Sequence, residues 1–458
     1  MIVIKFGGTS VGDAVRVQGV IEILTAARDR HPVVVVSALA GVTNDLVAAT
    51  TAAAAGDQGL VESIIERVSA RHQEVALQLV QQKSDYFESF LAQLRAEVEQ
   101  IRDILKGIVL VGEVTPRARD KVVAIGEKLS SVLVAYSMRL RALPGVHVDS
   151  EEVIITDDHF GEAAPLMAET RAAARRVLLP ELERNHIPVM GGFIGRSRSG
   201  ATTTLGRGGS DYTAAIVGSV MQAEEIQIWT DVDGMMTCDP RLIPEARVIE
   251  RISYVEAAEL AWFGAKVLHP KTIAPAVELG IPVRVLNTHN RESRGTLITE
   301  EGDGDVAGPR AIAVKRDIVV VHVTSSQMLG VHGFLARLFA VFEQLGISVD
   351  LITTSEISVS VTIDGSERLA ELVERLTPFA TVRVLDAQCI VAVVGRNLIS
   401  DSTVAARVFE SLRGVPIAMF SLGNSGLNLS IVVAAADADR AVRSAHRALF
   451  ESHVGARA

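Results

Sequence analysis

Residues 191–211 read GGFIGRSRSGATTTLGRGGSD, a run of glycines and hydroxyl side chains that also holds three arginines. A glycine in a helix interior costs about 1 kcal/mol relative to alanine, so this composition predicts a loop and not a helix. Glycines let the backbone approach a ligand closely, and the successive N–H groups of such turns bind anions. The stretch therefore predicts a loop that handles phosphate beside a small acidic substrate.

The bulk composition bounds the class of protein. A chain of 458 residues is too long for one hydrophobic core, which predicts two or three domains. The net charge of −10 disfavours binding to nucleic acid, because such proteins present a basic face. Cys238 and Cys389 cannot form a disulfide framework and lie in no zinc-binding pattern, which favours a reducing compartment. Without a signal-peptide pattern or a long apolar run, we expect a cytoplasmic protein with no membrane partner.

Buried strands that end in small-residue turns recur in the first part of the chain. Residues 2–6 predict such a strand, followed by Gly7, Gly8 and a helix, and residues 33–36 predict a second. Repeated strand–turn–helix units predict a parallel sheet with its site at the carboxyl ends of the strands. Backbone donors at a helix start suit phosphate, and Lys5 inside a buried strand is costly unless it meets an anion. An edge strand that turns Lys5 to solvent is the alternative.

Several polar residues have two interpretations that the local pattern leaves open. Thr43 either caps the next helix or contacts a ligand. Glu127 either benefits from the dipole at a helix start or meets a substrate amine. Asp231 and Asp239 either bind metal, directly or through nucleotide phosphates, or are ordinary turn residues. Lys266 either caps a helix end or contacts a nucleotide.

The texture of the sequence changes near residue 300. Residues 300–310, EEGDGDVAGPR, predict a linker after a catalytic domain of residues 1–299. Two units follow, residues 311–387 and 388–458, and each shows the order β-α-β-β-α of a small α+β sandwich. Neither unit has a cluster of nucleophile, base or metal ligands, so the duplicated pair predicts ligand sensing.

Six motifs, in order, give the chain a resemblance to a known family. They are KFGGTS at 5–10, SALAGVTN at 37–44, GEKLS at 126–130, TTLGRGGSD at 203–211, WTDVDG at 229–234 and FGAKVLHP at 263–270. With GFLARLF at 333–339 and SVDLITTSE at 348–356, the chain resembles the lysine-sensitive monofunctional aspartate kinases over nearly its whole length. The resemblance implies the amino-acid kinase fold, an α/β unit with a mostly parallel sheet sandwiched by helices. Two ferredoxin-like ACT domains would follow, the second intertwined with the first.

The resemblance also implies a reaction. ATP, with Mg²⁺, would phosphorylate the β-carboxylate of L-aspartate to 4-phospho-L-aspartate, the step that opens lysine, threonine, methionine and diaminopimelate synthesis. A carboxylate is already ionised at neutral pH, so no general base is needed, and catalysis comes from positioning and charge neutralisation. Lysine would act as feedback inhibitor through the ACT domains of a homodimer or tetramer.

Roles follow by motif position. Lys5 would be the transition-state cation, organised by Asp211, and no side chain would ligate the metal directly. The implied ATP contacts are Lys5, Gly7, Gly8, Thr9, Thr230, Asp231, Met236, Arg241, Lys266 and Val267. The implied aspartate contacts are Thr43, Glu127, Phe193, Arg207, Gly208, Gly209 and Ser210. The resemblance thereby assigns residues 206–211 to aspartate binding and not to phosphate binding. Arg207 would bind a carboxylate of aspartate, and Glu127 would bind its α-ammonium group.

The implied lysine site lies in the first ACT domain. Its positions are Met328, Val331, Phe334, Leu335, Ser348, Val349, Asp350, Ser355 and Glu356. Val331 and His332 depart from the polar and basic pair of the family, and Met236 stands where the family often has an aromatic residue. Two other functions compete: a kinase of this fold acting on another acid such as glutamate, and a catalytically silent amino-acid sensor. Lys5, Arg207 and Asp211 are all present, which argues against the sensor.

Overall fold

The structure, a computed structural model, describes residues 1–79, 85–265, 268–304, 307–328, 332–365, 367–423 and 426–451. The chain divides into two compact units. The first comprises Met1–Met235, Glu250–Ile252 and Leu268–Gly302, and the second comprises Met236–Ile249, Ser253–Val267 and Asp303–Ala458. Among the described residues, no helix has the length and apolar character that crossing a membrane requires.

Within the described residues, an eight-stranded sheet forms the centre of the first unit. In spatial order its strands are Gly145–His147, Ile187–Gly191, Pro32–Val36, Ile2–Phe6, Ile226–Thr230, Val283–Asn287, Thr296–Thr299 and Arg251–Ser253. The first six run parallel, as the recurring strand–turn–helix units predict. Ile2–Phe6 lies in the middle with all five residues buried, so the edge-strand alternative for Lys5 is wrong.

Helices cover this sheet and bury their apolar residues with it. Their bounds are Ala14–Ala26, Val42–Ala54, Gln58–Leu79, Asp85–Val111, Pro116–Val123, Ile125–Leu140, Met167–Glu183, Gly209–Met221 and Pro270–Val277, with short 3-10 turns at Gly8–Ser10, Arg28–Arg30 and Ser150–Glu152. Side chains begin several of them: Asp13 accepts from Arg16 N at 2.9 Å, and Thr115 precedes a proline in the first turn. Thr43 does not cap its helix, since Gly41 holds that position.

The prediction that residues 191–211 form one loop is wrong. Ile194–Ser197 and Thr202–Thr204 form an antiparallel hairpin, which a third strand, Ile155–Thr156, extends into a small sheet. The Thr203 and Thr156 hydroxyl oxygens lie 2.7 Å apart within this sheet. Pairing of two neighbouring segments with each other, and with a strand from earlier in the chain, thus gives extended structure to a sequence whose composition favours turns.

The second unit is built on a six-stranded antiparallel sheet within the described residues. In spatial order its strands are Ile352–Thr354, Ser358–Asp364, Gly308–Thr324, Thr381–Arg396, Asn428–Ala434 and Ile417–Leu422. Its helices are Tyr254–Trp262, Phe334–Leu345, Leu369–Leu376, Ser402–Ser411 and Ala435–His446, with shorter turns at Ser326–Met328 and Arg447–Glu451. The two β-α-β-β-α units share this sheet through its two longest strands, and the first of these begins inside the stretch predicted as linker.

Residues 236–249 fold into the core of this second unit. Cys238 and Ile243 belong to the same buried apolar cluster as Val391, Ile431 and Leu449. Thr237 Oγ1 lies 3.1 Å from His446 Nε2, which adds a polar contact to the packing. A segment that precedes the predicted linker by more than fifty residues is therefore part of the C-terminal unit's interior.

Candidate active site

A cavity of about 880 Å³ lies at the carboxyl ends of the central parallel strands of the first unit. Its lining includes both predicted catalytic residues and all residues predicted for aspartate: Lys5, Asp211, Thr43, Glu127, Phe193, Arg207, Gly208, Gly209 and Ser210. Gly8 also lines it, whereas Gly7 and Thr9 lie in the same turn but outside the lining. The structure thus brings together segments that are far apart in sequence.

Lys5 and Asp211 form an ion pair at this cavity. Lys5 Nζ lies 2.5 Å from Asp211 Oδ1, and Lys5 is only 8% exposed. The end of a central strand positions the lysine, and the first turn of helix Gly209–Met221 positions the aspartate, where the helix dipole favours an acid. A fixed, desolvated cation of this kind stabilises negative charge that develops on a transferred phosphoryl group.

The turn after the first strand requires glycine. A Cβ atom added at Gly8 would lie 2.8 Å from the carbonyl oxygen of Ala38, so only glycine allows the two turns to approach. Gly7 N donates to the carbonyl oxygen of Trp229 at 3.1 Å, which fixes the turn to the neighbouring strand. Arg16 Nη1 donates to the carbonyl oxygen of Thr9 at 3.0 Å and holds its far side.

The residues on both sides of Arg207 have left-handed backbone conformations. Its neighbours Gly206 and Gly208 have φ angles of 77° and 70°, in the left-handed region that favours glycine. Arg207 itself is exposed and forms no ion pair with the described residues. A Cβ atom added at Gly209 would lie 2.6 Å from the ring of Phe193, which itself has a φ of 67°. The geometry leaves a free guanidinium group for an anion.

Glu127 is a buried carboxyl group in the cavity wall. It is 4% exposed, and its desolvation raises its pKa to about 8, although donors from Ala38, Glu127 itself and the Thr43 hydroxyl oppose the shift. Its Oε2 atom has no hydrogen-bond partner among the described residues. A buried oxygen without a donor is costly, so the site is suited to a ligand that brings one.

Glu127 should make the stability of the protein depend on pH. Because its folded pKa lies above its ordinary value of 4.5, the folded state binds more protons than the unfolded state between these values. Stability should therefore fall as pH rises towards 8, by at most ~1.4 kcal/mol per pH unit from this group. Glu127→Gln should flatten that slope in thermal unfolding curves recorded from pH 5 to 8 (roughly the window between the two pKa values). Equal slopes for the two proteins would contradict the burial argument.

Other cavity residues were not predicted. Asp120, Arg119, His159, Phe160 and Glu162 all line the cavity. They come from a helix and a loop without a motif, and the contacts that bring them to the cavity span long stretches of chain. Asp120, for example, accepts hydrogen bonds from Gly161 and Thr204, which lie 41 and 84 positions later in the sequence. No local spacing signals such an arrangement.

The residues predicted for nucleotide divide between the two units. Thr230 ends its strand, and its hydroxyl group donates to Asp231 Oδ1 at 3.1 Å. Met236 and Arg241 belong to the second unit, where Arg241 pairs with Asp239 at 2.7 Å and thereby lowers the pKa of that carboxyl group. Lys266 and Val267 lie outside the described residues. In the part of the chain that the structure describes, no group of three acidic, histidine or cysteine side chains could hold a metal ion.

The residues predicted for lysine lie in the second unit. Phe334 and Leu335 begin a helix, Met328 ends a short turn, and Val331 lies outside the described residues. Ser348, Val349 and Asp350 lie in the loop between that helix and the strand Ile352–Thr354, and Ser355 and Glu356 follow that strand directly.

Asp350 already has a cationic partner. Lys315 Nζ lies 2.7 Å from Asp350 Oδ1 and 2.8 Å from Asp364 Oδ1. Burial raises the pKa of Asp350, and the lysine opposes that shift. Its Oδ2 atom is buried and has no hydrogen-bond partner within the described ranges. One oxygen of this carboxylate therefore remains for another donor.

Comparison with known proteins gives consistent results. The amino acid kinase family model matches residues 1–287, and an ACT domain model matches 321–369 and 391–449. Chloroplastic aspartokinase 3 of Arabidopsis thaliana is 38% identical over 98% of this chain and 82% of its own. Escherichia coli aspartokinase III, solved with aspartate and ADP in the R-state, superimposes with a TM-score of 0.84 at 35% identity, covering 98% of this chain and all of that one. Its T-state with lysine and aspartate gives 0.82 at 36% identity, over 98% of this chain and 99% of that one.

A parallel α/β kinase unit joined in one chain to paired ACT domains defines the class, an amino-acid kinase with a regulatory unit. The predicted fold class is confirmed. The chain belongs to the aspartokinase branch of the amino acid kinase family, and it phosphorylates aspartate at the expense of ATP. The alternatives of a different acid substrate or a silent sensor are therefore disfavoured.

Proposed function

We propose that the cavity binds L-aspartate and that its β-carboxylate attacks the γ-phosphorus of ATP, giving 4-phospho-L-aspartate and ADP. The observation that carries this proposal is the ion pair at the cavity between the buried Lys5 and the partly buried Asp211. Lys5 neutralises the charge on the transferred phosphoryl group, and Asp211 fixes the direction of its ammonium group. Gly8 supplies a backbone N–H donor to the phosphates, whereas the N–H of Gly7, also expected there from the sequence, already donates to the carbonyl oxygen of Trp229. The attacking carboxylate is already ionised, so no residue has to remove a proton.

The remaining cavity residues orient aspartate. Arg207 binds a carboxylate with two parallel hydrogen bonds, and Glu127 receives the α-ammonium group. The unpartnered Oε2 of Glu127 supports this role. An ammonium ion favours the ionised carboxylate, so aspartate binding releases a proton from Glu127 below pH 8, where the free group is protonated. Thr43, Phe193 and the 208–210 backbone complete the pocket.

ATP enters as its magnesium complex in this proposal. Mg²⁺ retains water and is usually held through substrate phosphates, so the metal is part of the substrate. Thr9, Thr230, Asp231, Met236, Arg241, Lys266 and Val267 contact the nucleotide. The proposed catalytic domain is residues 1–299, of which residues 236–249 and 253–265 pack with the C-terminal unit, and the proposed ACT domains are residues 311–387 and 388–458.

Regulation by lysine is the second part of the proposal. Escherichia coli aspartokinase III has been solved with lysine bound, and this chain is 36% identical to it over 98% of its length. The half-satisfied carboxylate of Asp350 supports a site for an amino group there. We place the enzyme in the cytoplasm as a homodimer or tetramer, at the start of synthesis of the aspartate-derived amino acids.

The reaction and its control are tested together by ADP release coupled to NADH oxidation. Aspartate should support turnover and glutamate should not, and lysine should inhibit at fixed aspartate. Threonine, added alone and with lysine, shows whether inhibition is specific. Faster turnover with glutamate would contradict the proposed pocket. Full activity at saturating lysine would remove the regulatory part and leave the catalytic part intact.

A further inference from the structure

Asp120 links two segments of the cavity wall. It lies on helix Pro116–Val123 and is 2% exposed. Its Oδ2 accepts from Gly161 N and Thr204 N, both at 2.9 Å, and its Oδ1 accepts from Thr204 Oγ1 at 2.8 Å. Burying a carboxylate costs free energy, and three donors compensate that cost here. A side chain that only fills space would not need this arrangement.

Both segments that donate hydrogen bonds to Asp120 adjoin the turn that contains Arg207. Thr204 ends the strand Thr202–Thr204, and Arg207 follows three residues later. Ala163 N donates to the carbonyl oxygen of Thr204 at 2.9 Å, so the loop and the strand are joined on a second side. A Cβ atom added at Gly206 would lie 3.3 Å from the carbonyl oxygen of Gly161, which shows how closely the Arg207 turn packs on the loop.

We propose that Asp120 is a positioning residue for substrate binding: by holding Gly161 and Thr204 together, it sets the place from which Arg207 reaches the carboxylate of aspartate. This inference rests on the proposed role of Arg207. Asp120 is 2% exposed and both of its oxygen atoms accept hydrogen bonds from the cavity wall, so in this proposal it acts through Arg207 and not on the substrate itself. Its effect appears in aspartate binding and not in the handling of ATP.

Two substitutions at Asp120 distinguish loss of its hydrogen bonds from a change of the side chain that keeps them. Asp120→Ala leaves two buried backbone N–H groups without an acceptor and frees the turn, so KM for aspartate rises about tenfold or more while KM for ATP stays within about twofold. Asp120→Asn can place its carbonyl oxygen on the two N–H groups and its amide on the Thr204 hydroxyl, which can accept. The asparagine variant therefore restores KM for aspartate to within about threefold of the original.

The decisive measurement is a double-mutant cycle with Arg207→Ala on the full chain. If Asp120 acts through Arg207, Asp120→Ala has little further effect on kcat/KM for aspartate once Arg207 is gone. Additive losses, or equal rises in both KM values, would overturn the proposal. Unchanged KM for aspartate in Arg207→Ala would instead refute the role of Arg207 itself.

Controls separate the effect from loss of folding. Thr170→Val removes a buried hydroxyl that hydrogen-bonds the backbone of Ile155 in the same unit, away from the cavity lining. It lowers the melting temperature and leaves KM for aspartate unchanged. Should Asp120→Ala fail to fold, Thr204→Val removes one of the three hydrogen bonds and raises KM for aspartate by about threefold. An unchanged KM in that variant would also overturn the proposal.

Discussion

Lys5→Ala should lower kcat by at least about a hundredfold, which corresponds to ~2.7 kcal/mol of lost transition-state stabilisation. The reason is that the lysine is the buried cation of the cavity, and phosphoryl transfer depends on such charges and on positioning. KM for aspartate should change much less, because the proposed aspartate contacts remain. The measurement is ADP release at saturating aspartate and ATP.

The lysine variant also leaves Asp211 without its cation, so folding has to be checked separately. Lys5→Met keeps the length and apolar stem of the side chain, and it should show the same loss of kcat with less loss of stability. Lys106→Ala is the matched control, because its side chain is 64% exposed and, within the described ranges, forms an ion pair only with Asp103 at 3.6 Å. Turnover like that of the original enzyme in both Lys5 variants would remove Lys5 from the mechanism.

Arg207→Ala should raise KM for aspartate by about tenfold to a hundredfold, since hydrogen bonds to charged groups contribute about 1.5–3 kcal/mol. KM for ATP should change little. Arg207→Lys should recover only part of the loss, because an ammonium group cannot bind a carboxylate with two parallel hydrogen bonds. Initial rates with aspartate varied at saturating ATP measure KM for aspartate in both variants, and rates with ATP varied at saturating aspartate measure KM for ATP.

A neighbouring arginine supplies the control for Arg207. Arg198 lies in the same stretch, 69% exposed, and pairs with Glu169 on the surface. Arg198→Ala should leave KM for aspartate unchanged, because surface ion pairs contribute little. If the two alanine variants behave alike, the carboxylate of aspartate is bound elsewhere.

The parallel sheet could be predicted from the sequence because its signal is local. A β-branched or apolar run such as residues 33–36, followed at once by a turn of small residues, identifies both the strand and the edge where a site forms. The position of Lys5 inside such a run also indicated an anion site. The structure then removed the edge-strand alternative, since strands pair on both sides of Ile2–Phe6.

The hairpin within residues 191–211 could not be predicted in this way. Its strands are short, and besides pairing with each other they pair with Ile155–Thr156; the hydroxyl contact between Thr203 and Thr156 joins residues 47 positions apart. Asp120 was missed for the same physical reason, since its partners are distant in sequence and its own helix carries no motif. Local composition indicates turn propensity, whereas strand formation here and the contacts of Asp120 depend on side-chain and backbone partners that composition does not report.

The burial of residues 236–249 in the C-terminal unit limits where two related enzymes can be joined into a hybrid. Cys238 and Ile243 are interior residues of the C-terminal unit, although they precede its first long strand by dozens of positions. A hybrid enzyme cut at residue 302, with the remainder taken from a relative, would force two core side chains to fit a foreign interior. The unit proposed to carry feedback control is therefore built from separate stretches of the sequence. A domain exchange that preserves its packing has to transfer residues 236–249 and 253–267 together with the C-terminal part of the chain.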